Sequence, residues 1–196
     1  LSNHDHSRFL TRTNHKAGRV AQLGTEAAEK DVNKAILREA VIMQMTWPGA
    51  PTLYYGDEAG VCGWTDPDNR RTYPWGFEDF ELIEYHRYLI DLHKKLPALR
   101  RGSLKQLLAD RQLIVYGRMS GENKCAVIIN NRGESRSVRV PVWELGITDE
   151  DAITRMILSD EKGYNAGRID YRADHGWLTL DVPAHSGVLL SSGALV

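Results

Sequence analysis

Between residues 25 and 46 the apolar positions Val32, Ala35, Ile36, Ala40 and Met43 recur at helical spacing, which predicts an amphipathic helix. The run Ala40-Val41-Ile42-Met43 is apolar all round, so the C-terminal part of that helix is expected to be buried. Pro48 and Gly49 stop it. Residues 50–55 form a short, aromatic-rich run closed by Gly56, read as a strand despite Pro51 at its start. Residues 56–76 are a long loop rich in Gly, Asp, Pro and Trp, a length that usually serves function. A second helix is expected over 78–96, its stripe of Leu82, Tyr85, Leu89, Leu92 and Leu96 facing one way and Pro97 ending it.

Past residue 100 the period changes to two. Runs at 104–109, 112–119, 124–131, 135–142, 152–158, 165–171, 177–182 and 186–191 read as strands, separated by turn chemistry such as Asn130-Asn131-Arg132-Gly133 and Asp174-His175-Gly176. Strands this short and this evenly spaced predict an antiparallel β-sandwich. The fold class expected is therefore α/β followed by all-β, with one unit over 1–100 and a sandwich over 101–196. A single strand with two helices cannot satisfy its backbone or bury its stripes alone. The first half is expected to need a sheet from elsewhere in a longer polypeptide or from a second chain, so that the chain on its own self-associates or stays bound to the remainder of its parent.

The chain has 196 residues, fewer than the roughly 250 of a complete (β/α)8 barrel. Its N-terminus, Leu1-Ser2-Asn3-His4-Asp5, reads neither as a signal peptide nor as a start, so the chain is expected to be part of something longer. Twenty-five basic residues against 26 acidic give a net charge of −1, which points to no nucleic-acid partner and no anionic membrane surface. No apolar run reaches the roughly 20 residues needed to span a bilayer. Cys62 and Cys125 build no disulfide framework and no four-cysteine zinc site, and such low cysteine use slightly favours the cytoplasm while leaving the compartment open.

Three clusters carry candidate chemistry. In Asn3-His4-Asp5-His6 two imidazoles flank a carboxylate, but spacing places no third ligand, so no metal is expected; a polar loop with solvated histidines fits the same spacing. Asp57 and Glu58 follow directly on the expected strand at 50–55, where α/β proteins place their sites, yet neighbours in sequence seldom aim at one atom. A structural role in the loop, bonding backbone amides or pairing with an arginine, is the better reading for both. The third cluster, Asp66-Pro67-Asp68-Asn69-Arg70-Arg71 with Trp64 and Trp75 nearby, combines the hydrogen-bonding groups and flat apolar faces that a sugar site uses. An Asp/Pro/Asn turn with solvated arginines accounts for it equally well.

Together these segments carry a resemblance. L-S-N-H-D-x-x-R-F-L-T, a helix, and then P-G-A-P-T-L-Y-Y-G-D-E-A-G-V-C-G-W-T-D-P-D-N-R-R-T-Y-P-W resemble the C-terminal end of the α-amylase family of glycoside hydrolases, closest to its neopullulanase, cyclomaltodextrinase and amylopullulanase group. The resemblance implies that residues 1–100 are the end of a (β/α)8 catalytic barrel, with 50–55 as its eighth strand, and that 101–196 are the C-terminal sandwich. It implies that His4 and Asp5 hold hydroxyls of the sugar whose bond breaks, Asp5 stabilising the transition state, with Arg70, and less securely Asp66, near the same subsite. Asp57 and Glu58 would shape the loop; Trp64 and Trp75 are stacking surfaces by chemistry alone. No segment matches the family's nucleophile or general acid, so the chain alone is expected to be inactive on α-glucans, and no cofactor is implied. His6 stands where relatives more often carry a small hydroxyl residue. A non-catalytic carbohydrate-binding or structural sandwich is the other reading; Trp143 and Trp177, its only tryptophans, are expected in the core. Transglycosylation is not separable from hydrolysis by sequence.

Overall fold

The computed structural model describes residues 1–121 and 123–193. Short helices α1 (Phe9–Arg12) and α2 (Val20–Leu23) precede α3 (Lys34–Thr46), α4 (Phe80–Lys95) and α5 (Pro97–Arg101). Nine strands follow among the described residues: β1 (Ser103–Asp110), β2 (Leu113–Ser120), β3 (Asn123–Asn130), β4 (Arg136–Val140), β5 (Ile153–Asp160), β6 (Gly163–Asn165), β7 (Ile169–Tyr171), β8 (Leu178–Val182) and β9 (Ser186–Ser192). The run at 165–171 thus divides into two short strands.

Helix α3 starts later than its periodicity predicts, because 26–28 is a separate 3-10 turn and Asp31 has a positive φ of 61°. Asn33 then caps it, its side-chain oxygen accepting from the amides of Ala35 and Ile36. Helix α4 is capped by Asp79, which accepts from the Leu82 amide, and it carries His93, Lys94 and Lys95 in its last turn, where cations complement the helix dipole. Pro97 does not merely stop α4; it opens α5 at a first-turn position, where its missing N–H costs nothing.

The strands form an antiparallel seven-stranded sheet in the order β1-β2-β3-β9-β5-β6, with β7 also on β5, and a two-stranded sheet β4-β8. The large sheet is the middle of three layers. On one face Val115, Ala126, Ile128, Val188 and Leu190 pack with Val138, Val140, Leu178 and Val182 of the small sheet. On the other, Tyr116, Cys125, Val127, Ile157 and Leu189 pack against Leu37, Val41, Ile42 and Met45 of α3 and Leu82, Tyr85, Leu89 and Leu92 of α4. The helices therefore do bury a face on a sheet within this chain, that of the β half, which corrects the expectation that they have none. At the crossing a Cβ on Gly187 of β9 would stand 2.7 Å from Ile42 Cδ1 and 3.4 Å from Glu39 Cα, so glycine here lets the helix lie close to the sheet. Polar contacts pin the layers: Arg118 of β2, almost wholly buried, donates to the carbonyls of Thr46 and Gly102 at 2.5 and 2.8 Å, and Tyr88 Oη donates to Met156 O at 2.8 Å.

Three further expectations change. Residues 51–54 form no strand; pairing is what makes a strand, and among the described residues nothing pairs with them. Of the positions read at helical spacing for α3, Ala35 is buried, whereas Ile36, Ala40 and Met43 are half-buried along a groove of about 970 Å³ with Trp47, Pro48 and Ala50; Leu37, Val41, Ile42 and Met45 cover the strands. Trp143 is 55% exposed rather than core, because its backbone N–H is tied to Gly176 O in the turn after β4 and its ring lies across that glycine. Trp177 is half-buried beneath the Arg139 guanidinium, 4.3 Å from the ring centroid.

Candidate active-site segment

Arg8 lies at the centre of the loop cluster and is fully buried. A guanidinium taken out of water must find acceptors. Its Nε donates to Asn69 O at 2.9 Å, its Nη1 to Tyr55 O at 2.5 Å and to Asp57 Oδ1 at 3.1 Å. The same plane lies over the rings of Tyr54 and Tyr55, 4.1 and 4.8 Å from their centroids, an additional attraction for a cation. Asp57 thus pairs with an arginine, through its own buried carboxylate. The Arg8 amide donates to Gly63 O and the Gly63 amide to Thr11 Oγ1, which stitches 8–11 to 63. A Cβ on Gly63 would stand 2.2 Å from Asp68 O, so the 63–68 turn closes only around glycine.

The remaining sequence-predicted residues fall into an exposed and a buried set. His4 and Asp5 are both about two-thirds exposed, His4 Nε2 lying 3.3 Å from Asp5 Oδ1. Asp66 and Arg70 form an ion pair with each other, each half-exposed, and Arg19 donates to the carbonyls of Thr65 and Asp66 beside them. Burial raises the pKa of the Tyr54 hydroxyl above its ordinary value, Tyr55 adds to that, and the charges of Arg8 and Arg70 oppose it. Trp75 is 78% exposed, its ring 4.5 Å from that of Tyr73. Trp64, in contrast, is buried, with Gly18 against its ring, and has no face free to stack on a sugar. That corrects its reading as a platform.

Glu58 turns inward. One of its oxygens is buried without a partner, as is Nε2 of the buried His86 on α4. Burial lowers the His86 pKa, while the carboxylates of Glu58, Asp57 and Glu81 act in the opposite direction. Among the described residues no group of three or more His, Cys, Asp or Glu side chains gathers to hold a metal ion, and no helix is long and apolar enough to cross a membrane.

Sequence reasoning passed over Asn69. It is completely buried, and its Nδ2 donates to Asn3 O at 3.2 Å and His6 O at 2.7 Å, the carbonyls on either side of His4-Asp5. Its signal was present only as one member of an Asp/Pro/Asn turn; the partners lie 66 and 63 residues away. Arg8 was visible as the fourth residue of D-x-x-R but without its acceptors. The loop with His4 and Asp5 and the loop with Asp66 and Arg70 are thus brought together, whereas the Trp75 ring packs on Tyr73.

The profile of the α-amylase catalytic domain matches residues 1–166. An amylopullulanase from Thermoanaerobacter thermohydrosulfuricus is 31% identical across 98% of the chain, and a neopullulanase 2 from Thermoactinomyces vulgaris is 37% identical across 74% of it. A crystal structure of an Anoxybacillus α-amylase superposes on all of the chain with a TM-score of 0.76 at 24% identity, a likeness of fold. The chain spans 13% of the amylopullulanase, 23% of the neopullulanase and 38% of the α-amylase structure.

Proposed function

The chain belongs to the α-amylase family, and from that premise we propose that it forms the C-terminal part of a retaining α-glucan hydrolase. Its substrates would be α-1,4- and α-1,6-linked glucans such as maltodextrin, cyclodextrin or pullulan. The observation that carries the reading is the buried clamp of Arg8 and Asn69, which ties the loop that exposes His4 and Asp5 to the loop that carries the half-exposed pair Asp66/Arg70. Retaining hydrolysis passes through an oxocarbenium-like state, and contacts to ring hydroxyls that tighten as the ring distorts lower its barrier. His4 and Asp5 hold such hydroxyls, with Asp5 stabilising the positive charge that develops; Arg70, and Asp66 through it, orient the same sugar. Trp75 offers an open ring face to a neighbouring glucose. Asp57 and Glu58 shape the loop.

Two carboxylates flanking the scissile bond do the bond-breaking in such enzymes, and we assign neither to this chain. Residues 1–100 then act as the end of a catalytic barrel, and 101–196 as the sandwich that shields it. The half-buried stripe of Ile36, Ala40 and Met43 along the groove supports a further covering element, supplied by the rest of a barrel or by a second copy. The test is reducing-sugar release from maltodextrin, β-cyclodextrin and pullulan. The chain alone is expected to release none, and adding the rest of the barrel to restore it in an Asp5-dependent manner. Turnover by the chain alone, abolished in Asp5→Asn, would place a complete site within it and overturn the division of labour.

A second reading has one observation in its favour. Trp143 presents an exposed indole on the sandwich, as a carbohydrate-binding surface requires. Cyclodextrin binding by the isolated chain, lost in Trp143→Ala and kept in Asp5→Asn, would favour it.

A further inference from the structure

We propose that Asn69 is a positioning residue whose buried side-chain amide, donating to the carbonyls of Asn3 and His6, sets where His4 and Asp5 stand relative to Arg70. The proposal rests on the functional reading above and adds to it a residue that touches no sugar.

Residues 3–6 have few other restraints. Within the segment, the Asp5 and His6 amides both donate to Asn3 Oδ1 at 2.9 and 3.0 Å, which curls the backbone so that His4 and Asp5 project outward. That turn is local, and all four residues are exposed. What ties it to the body of the protein on either side of His4-Asp5 is the Asn69 amide. The direction of the bonds is unambiguous, because both neighbours are carbonyl oxygens and only the nitrogen end of the amide can face them. Asn69 is itself held from behind: its backbone carbonyl accepts from Arg8 Nε at 2.9 Å, and Arg8 is bonded to Tyr55 O and Asp57. The next residue in the chain is Arg70. A single side chain therefore sets the spacing between two groups that must meet one sugar, each otherwise on its own loop. An error of about 1 Å in such a spacing can cost about a hundredfold in rate.

The experiment uses the complete polypeptide that supplies the rest of the barrel, with Asp5→Asn as the control for the functional reading. Asn69→Ala and Asn69→Asp are expected to lower kcat on maltodextrin by about 10- to 100-fold with KM changed less than about threefold, since the lost alignment matters most in the transition state. The pH profile separates positioning from a merely structural role. The carboxyl introduced in Asn69→Asp is nearly the shape of the amide, and once protonated it can donate one hydrogen bond to a carbonyl. Its deficit should shrink as pH falls toward about 5, while the Asn69→Ala deficit stays constant. In parallel, hydrogen exchange at the Asp5 and His6 amides of the 196-residue chain should quicken at least about tenfold in Asn69→Ala and stay unchanged in Trp75→Ala.

Unchanged kcat in both variants alongside a dead Asp5→Asn would sink the clamp and leave the functional reading standing. Equal loss in both variants at every pH would also overturn it, since the effect would not follow the donor. Full activity in Asp5→Asn would remove the functional reading and the clamp with it. If neither variant folds in the long polypeptide, the exchange measurement on Asn3→Ala decides: faster exchange at Asp5 and His6 with kcat unmoved counts against positioning.

Discussion

The loop cluster around Arg8 and the sandwich around β3 and β9 are equally well buried and are held by opposite means. Around Arg8 the buried groups are a guanidinium, a carboxylate, a carboxamide and a hydroxyl, held by hydrogen bonds to particular backbone atoms or, for the carboxylate, to the guanidinium itself. Around β3 and β9 the buried groups are Val127, Ile128, Val188, Leu189 and Leu190, whose contacts have no direction. Directional contacts fix the position of exposed neighbours to fractions of an ångström, and they lose much when one partner goes. Non-directional packing supplies most of the stability and tolerates small rearrangement. In this chain the groups proposed to meet a substrate are carried by the first kind, and a platform is built from the second.

The sharpest way to break the comparison is Arg8→Met, which keeps the apolar stem and removes every side-chain donor. Asp57 would then be left buried without its cation, an effect worth about 3–5 kcal/mol. The loss is expected to fall on the loops first, as faster exchange at the Gly63 and Asp57 amides, before the sheet melts. A uniform loss across loops and strands would mean that the two regions are one cooperative unit. Leu189→Ala tests the other side. Leu189 is fully buried at the centre of the large sheet, and its truncation should cost about 2–5 kcal/mol in a single cooperative unfolding followed by circular dichroism. The geometry of residues 3–6, read from the exchange of their amides, should be unmoved.

The same contrast decides what was legible in the sequence. Helix α4 was readable because its stripe and Pro97 are local signals, and the strands because alternation is local too. Residues 50–55 were not, since their composition fits a strand but pairing depends on a neighbour that no local pattern reveals. Helix α3 was found but not the side that meets the sheet, because a run apolar all round does not say which side that is. At the candidate site the residue type of Asp57 was informative, since its carboxylate does pair with an arginine. The work of Asn69 was hidden, because its bonds span more than sixty residues, and the burial of Trp64 because an indole looks the same in sequence whether it packs or stacks.

Glu39 extends the comparison to the helix–sheet interface, where a polar group is buried within the apolar packing. It lies on α3 where the helix crosses β9, nearly buried, with one oxygen unpartnered, and burial pushes its pKa up to about 8. In the unfolded chain the group ionises near the ordinary carboxylate value. Between there and about pH 8 the folded state therefore binds the extra proton, and stability falls as pH rises through that window, then levels off above it. Glu39→Gln removes the titration. At neutral pH the variant should be more stable by up to about 3 kcal/mol, with the gain vanishing toward pH 4. Urea denaturation at several pH values measures it, and a gain independent of pH would show that Glu39 is not the titrating group.

The smallest effect on stability is expected where the surface is most open. Trp75 is largely exposed and contacts chiefly Tyr73, so Trp75→Ala should change the unfolding free energy by no more than about 0.5 kcal/mol. If its open face stacks on a glucose next to the one held by His4, Asp5 and Arg70, maltodextrin affinity of the complete polypeptide should fall by about tenfold, with hydrolysis of the shortest substrates spared. A stability loss of several kcal/mol would instead make Trp75 part of the packed platform. Equal losses on short and long glucans would place it at the reacting sugar. The separation of affinity from stability at this residue, set beside their coupling at Arg8, is what distinguishes a surface that meets a ligand from the clamp that holds such surfaces in place.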